Sequence, residues 1–408
     1  MERVVSCIDV GTSKICTLIG EVDQAGEMRI VGVGIAPSRG IRKGVVVNVL
    51  EATHAILASI EKAERSAGYE IESAYVGLAG AHVASINSRG AVTINRGERG
   101  VQPADVDRAL DAARAIPIAH NRQVLHAIPR SYTLDGDDGV RDPLGMQAYH
   151  LDVEAHIITG ATTSIQNLVK CVQETGVGVS AMVLEPLASA EAVLTDVERE
   201  MGVVLVDIGG GTTDIAVFIE GTIWHTVVLP IGGENITHDI TVGLRTPLTT
   251  AEELKIKCGN ACSRTVQVQE MVEVTAFGDG GHQNVSRQLL AQIVEARVEE
   301  IFEMIGQEIK RSGYDGLLPA GVVLCGGTAD LAGIRDTARD MLNLPVRVGV
   351  PHDLRGLVDV LGRPAYATSV GLLQWGLRRD PSRPSPTSHH NGFKLPGWLK
   401  VFLPERPT

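Results

Sequence analysis

No apolar run in the 408 residues approaches the ~18 uncharged positions that a membrane-spanning helix needs. Met1-Glu2-Arg3 passes directly into a strand-like run, which does not read as a signal peptide. Cysteine is scarce. The six (Cys7, Cys16, Cys171, Cys258, Cys262, Cys325) mostly sit in apolar runs, as buried thiols do in a reducing, cytosolic setting. Cys258 and Cys262 are four apart, but no second Cys/His pair completes a tetrahedral zinc site, so structural cysteines are the simpler reading. Positive charge is also short: the net charge is −12, which argues against nucleic acid as a partner. The P-loop pattern and the G-x-G-x-x-G fingerprint are both missing.

What is present is a pair of acidic, glycine-rich turns about two hundred residues apart. Ile8-Asp9-Val10-Gly11-Thr12-Ser13-Lys14 follows an apolar run from Val4 and precedes another, Ile15 to Ile19. Val206-Asp207-Ile208-Gly209-Gly210-Gly211-Thr212-Thr213-Asp214 lies likewise between Val203–Val206 and Ile215–Ile219. Glycine lets the backbone approach a phosphate and take positive φ, and the carboxylate stands where a metal or its water would sit. Two copies point to two similar lobes closing on one nucleotide.

Two further glycine turns follow in order, Ile231-Gly232-Gly233-Glu234-Asn235 and Gly326-Gly327-Thr328. The first two turns are expected to clamp the β- and γ-phosphates, with Lys14 neutralising charge. The third is expected to offer backbone N–H groups at a helix start to the sugar-phosphate, and the fourth to lie under the base. Glu252 and Lys255, three apart on one helical face, are placed to meet ribose and base. Any one such turn is equally an ordinary α/β strand end; four in this order are harder to explain that way. Asp9 and Asp207 read as holding Mg²⁺ through water rather than as bases. Asp207 and Glu185 are the candidates for orienting a hydrolytic water, although Glu185 before Pro186 reads equally as a helix-start residue.

The organisation is α/β. Residues 1–82 with 159–199 form one core, interrupted by a small α+β insertion at 83–158 that holds a helix from Pro103 to Ala115. A second core spans 200–240 and 301–378, with the stretch 241–300 between its parts and strand-like residues at Val266–Val274. The clearest helical stripe runs from Leu290 to Ile309 and stops near Gly313. Residues 379–392 are a Pro/Ser-rich linker. In 393–408, Leu395, Trp398, Leu399, Phe402 and Leu403 share one helical face, flanked by Phe393 and Lys400. From Arg378 onward Arg378, Arg379, Arg383, Lys394, Lys400 and Arg406 outnumber Asp380 and Glu405, giving +4 against −16 for the rest. Two turns are too short to be stable alone. At an anionic bilayer the rings would insert and each basic residue would contribute about 1 kcal/mol. The other reading is a stripe docked in a groove of the body or of a partner.

The two Asp-x-Gly turns with the late Gly-Gly-Thr resemble the actin/Hsp70/sugar-kinase ATPase superfamily and, within it, the FtsA family of actin-like bacterial cell-division proteins. The resemblance covers nearly the whole chain. It rests also on Ile41–Val46, Val124-Leu125-His126-Ala127-Ile128-Pro129 leading to Asp142–Gly145, Leu184–Ser189, Gly232–Thr237, Ala251–Lys255 and Tyr366–Leu373. It implies an actin-like two-lobed fold of duplicated ribonuclease H-like cores, ATP and Mg between the lobes, and at most slow hydrolysis. It also implies head-to-tail self-assembly and the C-terminal peptide of FtsZ as partner of residues 241–300. Attachment to the cytoplasmic face of the cell membrane at the division site and later division proteins as further partners follow from the same resemblance. A small-molecule kinase, a chaperone and a pilus-assembly adaptor of the same superfamily are the alternatives. The first lacks a recognisable sugar pocket, the second a large domain after the ATPase, and a membrane tail speaks against the third.

Overall fold

In the computed structural model, which describes residues 3–94, 100–277 and 281–378, the chain opens with three antiparallel strands. These are β1 (Arg3–Val10), β2 (Lys14–Val22) and β3 (Met28–Pro37). The near-continuous apolar runs of β1 and β2 are buried, as expected of strands covered on both faces. A short hairpin, β4 (Ile41–Arg42) and β5 (Val45–Val46), leads to α1 (Val49–Ala67). Asn48 caps α1 by accepting the Glu51 N–H at 3.3 Å, and Gly68 ends it at φ +87°. β6 (Ser73–Leu78) then pairs in parallel with β1.

Of the next five elements, four strands form a sheet of their own and one is a helix. They are β7 (Ala84–Thr93), α2 (Pro103–Arg114), β8 (Arg122–Leu134), β9 (Asp137–Val140) and β10 (His150–Ala161), with strand order β7-β10-β8-β9. α2 lies directly on β7 because Gly90 has no side chain; a Cβ there would stand 2.2 Å from the Ala109 carbonyl oxygen. The chain returns through α3 (Thr162–Gln173) to β11 (Gly178–Leu184), parallel to β6, and continues into α4 (Glu185–Val193) and α5 (Asp196–Met201).

The second half repeats the first. β12 (Val203–Ile208), β13 (Thr213–Ile219) and β14 (Thr222–Leu229) are antiparallel. α6 (Gly233–Leu244), α7 (Leu248–Cys258), the hairpin β15 (Met271–Thr275) and β16 (His282–Ser286), and α8 (Arg287–Ser312) follow. β17 (Val322–Cys325), α9 (Ile334–Leu342), β18 (Val346–Val348) and α10 (Ala367–Arg378) complete it. The two large sheets run β11-β6-β1-β2-β3 and β14-β13-β12-β17-β18. In each, three antiparallel strands are followed by two added in parallel. The duplicated, two-lobed architecture expected from the paired turns is therefore present.

One strand expectation fails. Of Val266–Val274, only residues from Met271 onward pair, because β16 offers five partners and the preceding residues close turns, with Val266 N–H on Ser263 O and Glu270 N–H on Gln267 O. All six cysteines are free thiols, five of them buried.

α4 and α10 lie between the sheets, in a core that draws Cys7 and Leu18 from one lobe and Leu205 and Phe218 from the other. They cross at Gly371, where a Cβ would stand 1.8 Å from the Ala188 carbonyl oxygen. Among the described residues no helix is long and apolar enough to cross a membrane. The linker 379–392, the stripe Phe393–Leu403 and most of the Gly278–Gly281 loop lie outside the described residues.

Candidate functional site

The β1–β2 and β12–β13 turns are equivalent in the two lobes and face each other. Asp9, Gly11, Thr12, Ser13 and Lys14 from one, and Asp207, Gly209, Gly210 and Thr212 from the other, line a single cleft. Glu185, Gly326 and Gly327 line it too. The turns touch at glycines: a Cβ on Gly210 would lie 2.0 Å from Ser13 Oγ and displace that hydroxyl, and one on Gly211 would lie 2.8 Å from Thr12 Oγ1 and 3.0 Å from the Lys43 Cα. Gly326, at φ +85°, passes under Asp207, whose Oδ1 would be 2.3 Å from a Cβ there.

Two carboxylates from opposite lobes are held by hydroxyls from the central helices. Ser369 Oγ donates to Asp9 Oδ2 at 2.6 Å, and Ser189 Oγ and Thr368 Oγ1 donate to Asp207 Oδ2 at 2.7 and 3.1 Å. In the sequence, Leu184–Ser189 and Tyr366–Leu373 stand out only as family segments, and nothing local marks these hydroxyls. Thr368 and Ser369 are adjacent hydroxyls in the first turn of α10 and Ser189 lies one turn into α4, positions with no ligand signal of their own. Val10, Gly44, Ala79 and Ala365 also line the cleft without having been singled out.

The cleft is rich in acid. Burial raises the Asp9 carboxyl, opposed by Lys14 and the Ser369 hydrogen bond. Glu185 is pushed well above the usual carboxylate range by burial and then by Asp9, Asp214 and Asp207. Asp214 is raised in the same way, by burial and then by Asp207, which it faces across the β12–β13 ladder. Glu185 is the first residue of α4, as its helix-start reading has it, and still lines the cleft. Lys14 Nζ donates to the Ala365 carbonyl oxygen and sits 3.6 Å from the centroid of the Tyr366 ring, and burial lowers its pKa.

Other expected site residues serve the frame. Thr213 Oγ1 donates to Ile231 O at 2.8 Å, tying the second turn to the third, and Asp214 Oδ1 is buried without a hydrogen-bond partner. The third turn does not offer its N–H groups to an anion as anticipated. The Gly232 N–H donates to Asn235 Oδ1 at 3.1 Å, that of Gly233 to Gly209 O at 2.9 Å, and that of Glu234 to Gly210 O at 2.8 Å. Asn235 closes the helix start, and the second turn takes the rest. Thr328 Oγ1 also donates to Gly209 O, at 3.0 Å. Lys255 Nζ reaches Gly233 O at 3.0 Å, Thr237 Oγ1 at 2.9 Å and Glu252 Oε2 at 2.7 Å, so the expected helical pair is joined by Thr237, which was not anticipated.

Comparison with known proteins places this geometry. Residues 204–371 match the model of cell division protein FtsA, and residues 80–159 match the SHS2 domain inserted in FtsA. The cell division protein FtsA of Pseudomonas aeruginosa is 46% identical over 92% of this chain and 90% of its own length. The chain belongs to the FtsA family. The FtsA of Neisseria meningitidis is 44% identical, covering 94% of this chain and 93% of that protein, and the FtsA of Bacillus subtilis 38%, covering 95% and 86%. As an FtsA-family member it is an actin-like cell division protein, and its β7–β10 sheet, up to Thr159, falls within the SHS2 match. Similarity of fold extends to a PilM-PilN type IV pilus biogenesis complex (TM-score 0.66, 15% identity, 92% of this chain and 99% of that one). It extends also to MreB5 of Spiroplasma citri bound to ADP (TM-score 0.53, 14% identity, 91% and 95%).

Proposed function

We propose that this FtsA-family chain binds ATP with Mg²⁺ between its lobes and, in the closed form, stacks head to tail. The observation that carries this reading is the shared cleft: Asp9 and Asp207 come from different lobes and are held by adjacent residues of one helix. The β- and γ-phosphates fit the two glycine turns with Thr12, Ser13 and Thr212, and Lys14 turns from Ala365 toward them. Gly326, Gly327 and Thr328 lie toward the base, with Glu252 and Lys255 beside the ribose. A nucleotide bound in the solved structure of MreB5 of Spiroplasma citri supports the same use of the fold here. Crowded buried carboxyls facing one lysine suit a divalent cation. No cluster of three or more His, Cys, Asp or Glu among the described residues is placed to hold one. Asp9 and Asp207 would therefore hold Mg²⁺ through water, leaving the remaining positions to phosphate. The ion would neutralise phosphate charge; Asp207 accepts from its two hydroxyl donors, and Glu185, which lines the cleft, is the carboxyl placed to orient a water. Hydrolysis is slow on this reading.

The lobes comprise 1–82 with 159–199 and 200–240 with 301–378. The stretch 241–300 takes the C-terminal peptide of FtsZ. An apolar groove lined by Val242, Leu244, Phe277, Val285 and Leu289, with Val242 and Phe277 largely exposed, supports this. Phe393, Leu395, Trp398, Leu399, Lys400, Phe402 and Leu403 attach the filament to anionic lipid on the cytoplasmic face, weakly per copy and strongly by avidity. The assembly tethers the FtsZ ring and recruits later division proteins. Titration calorimetry tests the core of this reading: Asp207→Ala should weaken Mg-ATP binding severely, and unchanged affinity would remove the site assignment.

A further inference from the structure

His126 belongs to the Val124–Pro129 segment that the family resemblance picks out, yet nothing above gives it a task. It stands on β8 and is buried. The Leu184 backbone N–H donates to its Nε2 at 3.1 Å, which makes Nε2 the unprotonated ring nitrogen. Its ring meets Trp375 edge-on, with centroids 5.7 Å apart and planes at 70°.

Both contacts lead to the cleft. Leu184 is the last residue of β11, the edge strand of its sheet, so on its open side no further strand can take up a backbone N–H. Leu184 is also the N-cap of α4, with a side chain that cannot cap, and Glu185 comes next. Trp375 lies on α10, two turns beyond Thr368 and Ser369, which hold Asp207 and Asp9. One imidazole from the SHS2-matched sheet thus touches the N-cap residue of the helix that supplies Glu185 and Ser189 and a ring of the helix that supplies Thr368 and Ser369.

We infer that His126 is a positioning residue for Glu185: its Nε2 fixes the backbone immediately before that carboxyl, so the setting of the inserted sheet decides where the carboxyl stands in the cleft. The inference rests on the ATP-cleaving reading of the cleft. If the ring only filled space, any ring of its size would serve; the Leu184 N–H requires an acceptor.

The test uses the full chain with Mg-ATP, measuring single-turnover cleavage, calorimetric affinity and melting temperature for His126→Phe, His126→Gln and Glu185→Gln. H126F keeps a ring against Trp375 and loses the acceptor, and should slow cleavage about 10–100-fold, the scale of a misplacement near 1 Å, with affinity unchanged. H126Q supplies an amide oxygen and should recover most of that rate even if its melting temperature is as low as that of H126F. Equal rates for the two, or an affinity loss as large as the rate loss, overturns the inference. E185Q separates it from the reading beneath: a slow E185Q beside a fast H126F removes the positioning role alone. An E185Q as fast as the unaltered chain, or no cleavage by the unaltered chain, removes both.

Discussion

Thr368 and Ser369 are neighbours at the start of α10, and each holds a carboxylate from a different lobe: Thr368 Oγ1 donates to Asp207 at 3.1 Å and Ser369 Oγ to Asp9 at 2.6 Å. A rotation of one lobe relative to the other therefore strains a buried, charge-assisted hydrogen bond on one side of a single helical turn.

Ser369→Ala should weaken Mg-ATP binding about 10–100-fold, since a hydrogen bond to a charged group contributes about 1.5–3 kcal/mol. Thr368→Val should cost less, because Ser189 also donates to Asp207 at 2.7 Å. Calorimetry on the two variants checks the order; a harmless S369A contradicts it.

Gly371→Ala puts a methyl against the Ala188 carbonyl oxygen where α10 crosses α4. Backbone cannot swing aside as a side chain can, so the helices must separate. A loss of about 1–3 kcal/mol in denaturant melts is expected. Gly68→Ala is the control: a Cβ at Gly68 meets nothing within 4 Å, and only its left-handed φ penalises the change.

Acid should loosen the contact between the inserted sheet and β14. His156 is buried, with Nδ1 2.7 Å from Asn87 Oδ1 and Nε2 3.0 Å from Thr226 Oγ1. Burial first, then His225 and Arg130, lowers its pKa from 6.5 to about 3. The folded chain keeps this ring neutral while the unfolded chain protonates it below about 6.5, so the unfolded state binds more protons and stability falls as the pH drops from there toward 3. His156→Gln should melt lower at pH 7 yet lose less between pH 7 and 4. Parallel melting curves would exclude the ring as the source.

Trp398→Glu should release the full chain from anionic liposomes in pelleting assays, with truncation at Asp380 as the reference. A charge on the apolar stripe opposes insertion of the neighbouring rings. Undiminished pelleting of W398E would contradict the membrane role of that stripe.

Much was legible beforehand for a plain reason. Strand, acidic glycine turn and strand form a local pattern, so Asp9 and Asp207 with their turns could be located from spacing alone, and their repetition announced two lobes. α2 and α8 were legible too, the first from Pro103 at its start and the second from an apolar stripe of helical period that Gly313 stops. The third turn was misjudged because its N–H groups have two possible acceptors, a ligand or the second turn, and nothing local distinguishes Gly209 O from a phosphate. Val266–Glu270 alternates like a strand and lacks only a neighbour to pair with.

Short-range order in the residues thus determined the elements, the paired turns and the family. Which hydroxyl reaches which carboxylate, how Lys14 comes to rest on Tyr366, and why His126 takes the Leu184 N–H were decided only by packing. Those contacts join residues tens to hundreds of positions apart, and their directions depend on how α4 and α10 cross between the two sheets, a geometry that no periodicity along the chain encodes.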